Sequence, residues 1–274
     1  MNKLKLFLIL VMVLVAGLTA NSYARATCSE GFRTVGDDIF DDWEISRTRA
    51  VGADGFYQIS EKGFRPVIAY ESLGEEADIA YRLGEGMVDK YPDRVQRAEQ
   101  IFHYVRDRVR YTPDKDQFQH DEFAQNADEL AAEIAQNGFG HGDCEDSAVL
   151  LAVMYKGAGY RSAIAVAPGH TAAMVYLPEY KKGSIFKMNG EEGWVWAEAT
   201  GRKNPLGWVD KDLIDGDLFA YEIKDERVTR TLPTEAPATI VTSGGGGSAS
   251  FPVPFFGIIM FLWFISRLFR RRAR

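Results

Sequence analysis

Apolar residues recur at helical spacing through the middle of the chain, and proline, glycine or a capping residue separates the successive segments. The segments that this pattern predicts to be helical are 71–90, 93–111, 126–136 and 144–157. Pro113 ends the second helix because a proline biases the preceding residue away from the helical conformation. Gly138 is placed to cap the third helix at its C-terminus.

Short apolar runs bounded by turn residues follow the last helix and predict strands. They cover 162–167, 170–177, 194–199 and 219–223. A hairpin loop over 179–192 joins the second of these strands to the third. Residues 31–70 hold runs broken by glycine, which predict strands or loops. Helices followed by an antiparallel sheet are typical of the α+β class.

The N-terminus has the pattern of a secretory signal. Two lysines precede an apolar run over 6–20, and the small-x-small sequence 22–24 follows it. We therefore expect a signal peptide over 1–24 and an exported mature chain. An uncleaved N-terminal anchor, or a lipid attached at Cys28, are the alternatives.

The C-terminus has the pattern of a tethered membrane anchor. Residues 233–250 are rich in Pro, Thr, Ser and Gly and predict a flexible linker. The apolar segment 251–269 is expected to span the membrane, and the arginines of 270–274 are expected to remain cytoplasmic. An amphipathic tail lying on the membrane surface is the alternative. The tail also resembles a Gly-Gly type sorting signal, which implies a membrane protease that cuts it.

The remaining residues, 27–232, are enough for one domain with its own core. Without the eight basic residues at the two ends, 24 basic residues face 39 acidic ones, a net charge of −15. This charge disfavours nucleic acid and anionic lipid as partners of the domain. The only cysteines are Cys28 and Cys144, so a framework of disulfides is not expected.

Cys144 opens the fourth predicted helix and is the candidate nucleophile. The helix N-terminus favours its thiolate by only about 0.3–1 kcal/mol, and the acidic neighbours Asp143, Glu145 and Asp146 oppose ionisation. A catalytic Cys144 therefore requires a histidine partner. The histidines are His103, His120, His141 and His170. His170 begins a strand after a Pro-Gly turn, and Glu198 on the next predicted strand can orient its imidazole.

Three blocks of sequence resemble the transglutaminase-like superfamily. They are Gly142-Asp143-Cys144-Glu145-Asp146, the strand opened by His170, and Gly193-Trp194 with Glu198-Ala199-Thr200. The resemblance covers residues 90–202. It implies a papain-like α+β fold, with helices packed on an antiparallel sheet and the cysteine at a helix N-terminus.

The same resemblance implies a thiol mechanism in which Cys144 attacks an amide or peptide carbonyl, His170 transfers the proton and Glu198 orients the imidazole. The backbone N–H of Cys144 is one expected oxyanion donor. Two features depart from the family pattern. Ala172 and Ala173 stand where an aromatic residue is usual, and the acid is glutamate where the family has aspartate.

The sequence is also compatible with functions other than catalysis. A degenerate domain of the same fold could bind a protein or peptide in a groove lined by Trp194, Trp196 and Trp208, although tryptophans in a strand more often belong to the core. We expect no cofactor and no metal, because paired Cys-x-x-Cys or His-x-x-x-His spacing is absent.

Two metal sites are nevertheless conceivable from the sequence. One would use His141, Cys144, His170 and Glu198 as its ligands. The other is a calcium site at the acidic residues around Cys144, although an acidic first turn also suits the helix dipole by itself.

Overall fold

A computed structural model of the chain describes residues 29, 31–60, 63–73, 79–167, 169–210, 213, 218–224 and 238–242. The predicted signal peptide, the apolar segment 251–269 and the arginine tail lie outside the described residues. Within the described residues, no helix is both long enough and apolar enough to cross a membrane.

Five short strands form a sheet at the N-terminal side of the domain, in the order of the chain. They are β1 (Arg33–Val35), β2 (Asp38–Phe40), β3 (Ser46–Val51), β4 (Gly55–Ser60) and β5 (Gly63–Arg65). Neighbouring strands are antiparallel except β3 and β4, which are parallel.

Buried Arg47 joins this sheet to the helices. Its guanidinium contacts the carboxylates of Asp41, Glu71 and Glu129, with distances of 2.8 Å to each of the last two. It also donates to the carbonyl of Ala124 at 3.0 Å.

The middle of the chain is helical, as the periodicity predicts. The helices are α1 (Val67–Tyr70), α2 (Ile79–Lys90), α3 (Arg94–Arg108), α4 (Asp114–Gln117), α5 (Ala127–Asn137) and α6 (Cys144–Gly157). Asp93 caps α3 and Asn126 caps α5, and Gly138 ends α5 with a φ of 81°. The single helix predicted over 71–90 is wrong at its start, where 71 and 72 form a turn.

The predicted end of the second helix is also corrected. Residues Val109–Tyr111 form β6, which pairs in parallel with β7 (Gly140–Gly142). Helix α3 ends at the β-branched Val109, whose backbone is extended. The chain then runs alongside β7, the strand that leads into α6.

Helix α6 is the centre of the core and contacts α2, α3, α5 and the sheet that follows it. Glycines allow α2 and α6 to approach closely. A Cβ atom at Gly84 would lie 2.0 Å from the carbonyl oxygen of Met154, and one at Gly157 would lie 2.0 Å from that of Tyr81.

Six antiparallel strands close a barrel after α6. They are β8 (Ser162–Ala167), β9 (His170–Tyr176), β10 (Ile185–Met188), β11 (Glu191–Ala197), β12 (Phe219–Glu222) and β13 (Ala238–Thr242). Their order is β10-β11-β9-β8-β12-β13, and β13 pairs with β10 to complete the closure. The α+β class is therefore confirmed.

Two strands of the barrel correct the sequence-based prediction. The linker predicted over 233–250 is wrong over Ala238–Thr242, whose four β-branched residues favour a strand despite the Gly-rich sequence that follows. The loop predicted over 179–192 contains β10. Asn189 and Gly190, both at positive φ, make the tight turn from β10 to β11.

The barrel strands bury both of their faces. Thr171, Ala173 and Val175 of β9 belong to the face toward α6, while Ala172 and Met174 belong to the interior of the barrel. Trp194 and Trp196 are fully buried inside the barrel, so they are core residues and do not line a groove. Trp208 is exposed.

Candidate active site

The segment that enters α6 holds Cys144 in place. The N–H of Asp143 donates to Oδ2 of Asp146 at 3.1 Å, and Oδ1 of Asp146 accepts the N–H of Gln125 at 2.8 Å. A Cβ atom at Gly142 would lie 2.7 Å from Oδ2 of Asp146, which requires glycine there. The motif from Gly142 to Asp146 is thus a structural unit that fixes the start of the helix.

His170 and Glu198 form a hydrogen-bonded pair. Register explains their meeting: Ala197 lies opposite Ala173, so the next residue, Glu198, lies opposite Ala172 and diagonal to His170 on the same face. Nε2 of the imidazole bonds to Oε2 of the carboxylate. Oε1 of Glu198 accepts the N–H of Thr200 at 3.1 Å and also its hydroxyl. Glu198 is buried, whereas His170 is partly exposed.

Thr171 connects this pair to the thiol. Its backbone N–H hydrogen-bonds to the sulfur of Cys144, which lowers the pKa of the thiol. The residue that follows the imidazole along β9 therefore touches the residue that begins α6. In the part of the chain that the structure describes, the sulfur makes no hydrogen bond to His170 itself; Sγ instead donates to Oε2 of Glu145 at 3.2 Å.

The electrostatic environment favours a neutral thiol. Burial raises the pKa of Cys144, and the charges of Glu145 and Asp143 raise it further. The single hydrogen bond from Thr171 does not offset these effects. The expectation that the acidic neighbours oppose ionisation is thus confirmed.

The acids around the cysteine are themselves perturbed. Burial, followed by the charges of Asp143 and Asp146, raises the pKa of Asp114 to about 8. Burial and Asp143 raise the pKa of Asp146 to about 7. Burial and Asp143 also raise the pKa of Glu145 well above its ordinary value.

The other histidines lie outside this arrangement. Nδ1 of His141 is 2.9 Å from Oε1 of Glu133. His103 is within α3 and His120 is in the loop after α4. The convergent groups of metal-ligating side chains among the described residues contain no histidine, so the ligand set of His141, Cys144, His170 and Glu198 is not assembled.

Three residues near the thiol were not identified from the sequence. Thr171 acts through its backbone, which no side-chain pattern indicates. Tyr57 comes from the N-terminal sheet, and its hydroxyl lies 3.4 Å from Oγ1 of Thr171. Burial raises the pKa of Tyr57, and so do the charges of Glu145 and Cys144. Asp114 follows Pro113 at the start of α4. Its position directly after the predicted helix end is the one sequence feature that could have marked it as a candidate site residue.

Comparison with known families gives one match. Residues 81–213 match the family model of the transglutaminase-like superfamily. The match includes the whole of the segment 90–202 that carries the resemblance in sequence. No curated protein sequence matches the chain significantly.

Proposed function

Because residues 81–213 belong to the transglutaminase-like superfamily, we propose that the chain is a thiol enzyme that cleaves or transfers an amide or peptide bond through an acyl-enzyme on Cys144. The hydrogen bond between His170 and Glu198, one residue away from the N–H that reaches the thiol, supports this proposal most strongly. It holds the imidazole in a defined orientation, one residue before the strand residue whose backbone contacts Cys144 at a helix N-terminus.

The proposed reaction follows from the atoms at hand. Glu198 engages Nε2 of His170, so Nδ1 is the nitrogen that accepts the thiol proton. The thiolate attacks the carbonyl carbon, and the backbone N–H of Cys144 donates to the resulting oxyanion. His170 then gives its proton to the leaving amine, which leaves a thioester. Water attacking the thioester completes hydrolysis, and an amine attacking it completes transfer. Hydrolysis is our preferred outcome.

A catalytically degenerate module that binds a protein or peptide is the second candidate. The hydrogen bond from Cys144 to Glu145 favours it, because the thiol has an acceptor other than the imidazole and its pKa is raised. In an enzyme, the thiol proton must pass to His170, and so the bond to Glu145 must break before attack.

The rate of alkylation at Cys144 separates these two functions. We expect iodoacetamide to label Cys144 at pH 6 faster than it labels a free thiol, and we expect His170→Ala to abolish the excess rate. His141→Ala is the matched control, since that imidazole also pairs with a glutamate. Labelling of the wild-type chain no faster than a free thiol would leave only the binding module.

We also propose that the domain is exported and anchored outside the cytoplasm by the apolar segment 251–269, with a protein or peptide as its substrate and no nucleic acid as its partner. The signal-like N-terminus and the arginine tail support this location. A protease acting on the Gly-Gly type tail is a further proposed partner. The mass of the mature chain tests both processing events, because an intact Arg274 excludes cleavage of the tail.

A further inference from the structure

The N-terminal sheet places Tyr57 beside the candidate active site. Strand β4 carries this residue, and its side chain is buried in the same apolar cluster as the face of β9 that lies toward α6. The family match begins at residue 81, so β4 lies outside the matched segment. Tyr57 is therefore a feature of this chain that the family match does not cover.

The hydroxyl of Tyr57 contacts the strand that carries the candidate base. It lies 3.4 Å from Oγ1 of Thr171, to which it donates a hydrogen bond. The backbone N–H of Thr171 hydrogen-bonds in turn to the sulfur of Cys144. Tyr57 is thus connected to the sulfur through a single residue, and that residue directly follows His170.

The start of β9 is held from both of its faces. Successive side chains of a strand point to opposite faces, so those of His170 and Thr171 diverge. Glu198 holds the imidazole on one face, and Tyr57 contacts the threonine hydroxyl on the other. The N–H that reaches the sulfur belongs to the peptide group between these two anchored side chains. Its position therefore depends on both anchors.

The surroundings of Tyr57 keep its hydroxyl protonated. Burial raises the pKa of Tyr57 well above its ordinary value, and the charges of Glu145 and Cys144 raise it further. Asp146 is a further acid that acts in the same direction. A phenol that keeps its proton donates hydrogen bonds and does not serve as a base. Tyr57 can therefore affect the thiol by holding its neighbour in place, and not by removing the thiol proton.

We propose that Tyr57 is a positioning residue for the thiol, which holds Thr171 where its backbone N–H donates to the sulfur of Cys144. This hydrogen bond favours the thiolate, so losing the tyrosine hydroxyl should make the sulfur less reactive. The contact of 3.4 Å is long for two hydroxyls, so the expected effect is modest. The role rests on the proposed function, because it serves a reaction only if Cys144 is the nucleophile.

The experiment compares Tyr57→Phe with the wild-type full-length chain in detergent. Iodoacetamide is applied across a range of pH, and the adduct at Cys144 is quantified by mass spectrometry. Phenylalanine keeps the ring and removes only the hydroxyl. We expect the rate at pH 7 to fall about 2–5-fold and the pH midpoint of labelling to move upward.

Thr171→Val tests the same connection from its other end. Valine removes the acceptor of the tyrosine hydroxyl and keeps the shape of the side chain. We expect this variant to slow labelling as Tyr57→Phe does. The double variant should be no slower than the slower of the two single variants, because both changes break one contact. Losses that add in the double variant would overturn the connection through Thr171.

The matched control is Tyr155→Phe. The hydroxyl of Tyr155 is also buried, but it donates to the carbonyl of Ala98 at 3.1 Å, near the other end of α6. This variant should lose stability and keep the labelling profile of the wild type. Thermal unfolding verifies that each variant is folded, and Thr171→Val decides if Tyr57→Phe is not.

An unchanged labelling rate in Tyr57→Phe, or an equal loss in Tyr155→Phe, would overturn the positioning role. Failure of the proposed enzyme gives a different result. In that case the wild-type chain labels no faster than a free thiol and His170→Ala has no effect, while Tyr57→Phe still moves the pH midpoint upward. Such a result retains the positioning of the thiol by Tyr57 and loses only the proposed reaction.

Discussion

His170 begins β9, Glu198 directly follows the adjacent strand β11 of the barrel, and Nε2 of the imidazole is hydrogen-bonded to the carboxylate of Glu198. Because the carboxylate engages Nε2, Nδ1 is the nitrogen that would accept the proton of Cys144 in the proposed mechanism. Glutamate at position 198 thus makes the hydrogen bond to the imidazole that the proposed mechanism requires.

Glu198 predicts a pH-dependent contribution to stability. Burial raises the pKa of Glu198, but the hydrogen bond and charge of His170 more than offset burial, so the pKa is lowered. A carboxyl with a lowered folded pKa stabilises the fold above its unfolded pKa of about 4.3 and loses that effect as pH falls through the folded value. We expect Glu198→Gln to reduce the free energy of unfolding by about 1.5–3 kcal/mol at pH 7.

Urea denaturation from pH 7 to pH 3.5 measures this effect. The difference between wild type and Glu198→Gln should shrink at the acidic end. Glu133→Gln is the control, because its partner His141 is more exposed and the loss should be smaller. A difference that is constant across this range would contradict the coupling.

Glu145 is expected to slow alkylation of Cys144. After burial, its charge is the largest factor that raises the pKa of the thiol. Glu145→Gln keeps an acceptor for the thiol and removes the charge, so we expect alkylation by iodoacetamide at pH 7 to accelerate about 3–10-fold. Glu133→Gln, which removes a charge that does not act on the sulfur, is the control. An unchanged or slower rate in Glu145→Gln would show that its charge does not act on the sulfur.

Arg47 is expected to be indispensable to the attachment of the N-terminal sheet. Removing it leaves Asp41 and Glu71 buried without their cation. We expect Arg47→Ala to reduce the free energy of unfolding by about 3–5 kcal/mol. Arg49→Ala, on the same strand, removes ion pairs of partly exposed side chains and should cost less than about 1 kcal/mol. Equal losses in urea denaturation would refute a special role for the buried ion pairs.

Because α2 contacts α6 closely on one side only, we expect two glycine-to-alanine substitutions on α2 to change the free energy of unfolding in opposite directions. A methyl group at Gly84 would meet the carbonyl of Met154, so Gly84→Ala should lower the free energy of unfolding by about 1–3 kcal/mol or more. Gly86 is exposed and has open space, so Gly86→Ala should be neutral or stabilise by up to about 1 kcal/mol. Thermal unfolding measures both, and the same sign of change in the two variants would contradict the close packing.

Local signals in the sequence predict the elements that carry the candidate site. Asn126 and Gly138 bound α5, and a single glycine-acid-cysteine segment starts α6, because caps act over a few residues. The alternating pattern of two predicted strands places His170 and Glu198 near each other. These features depend on interactions between residues close in sequence, so a single sequence is enough to predict them.

Other features depend on contacts that a single sequence does not contain. Tyr57 and Thr171 are 114 residues apart, and neither has a neighbouring motif that pairs them. Asp114 joins the acids of α6 only because β6 and β7 pair beside it. By contrast, the dipeptide Asn189-Gly190 is a strong sequence signal for a tight hairpin turn, which would have predicted β10. The polar residues around it led instead to the prediction of one long loop.

Strand β13 shortens the distance over which a membrane-anchored domain could operate. Because the barrel extends to Thr242, only residues 243–250 separate it from the apolar segment, and fully extended they reach about 29 Å. The tether predicted from 233 would have reached about 65 Å. If the domain is anchored as proposed, it would stay within about 29 Å of the bilayer surface. Its substrates would then be molecules embedded in the membrane or bound to its surface. Cleavage within residues 243–250 would release the domain with its barrel intact. Cleavage before residue 238 would remove β13 and open the barrel between β10 and β12.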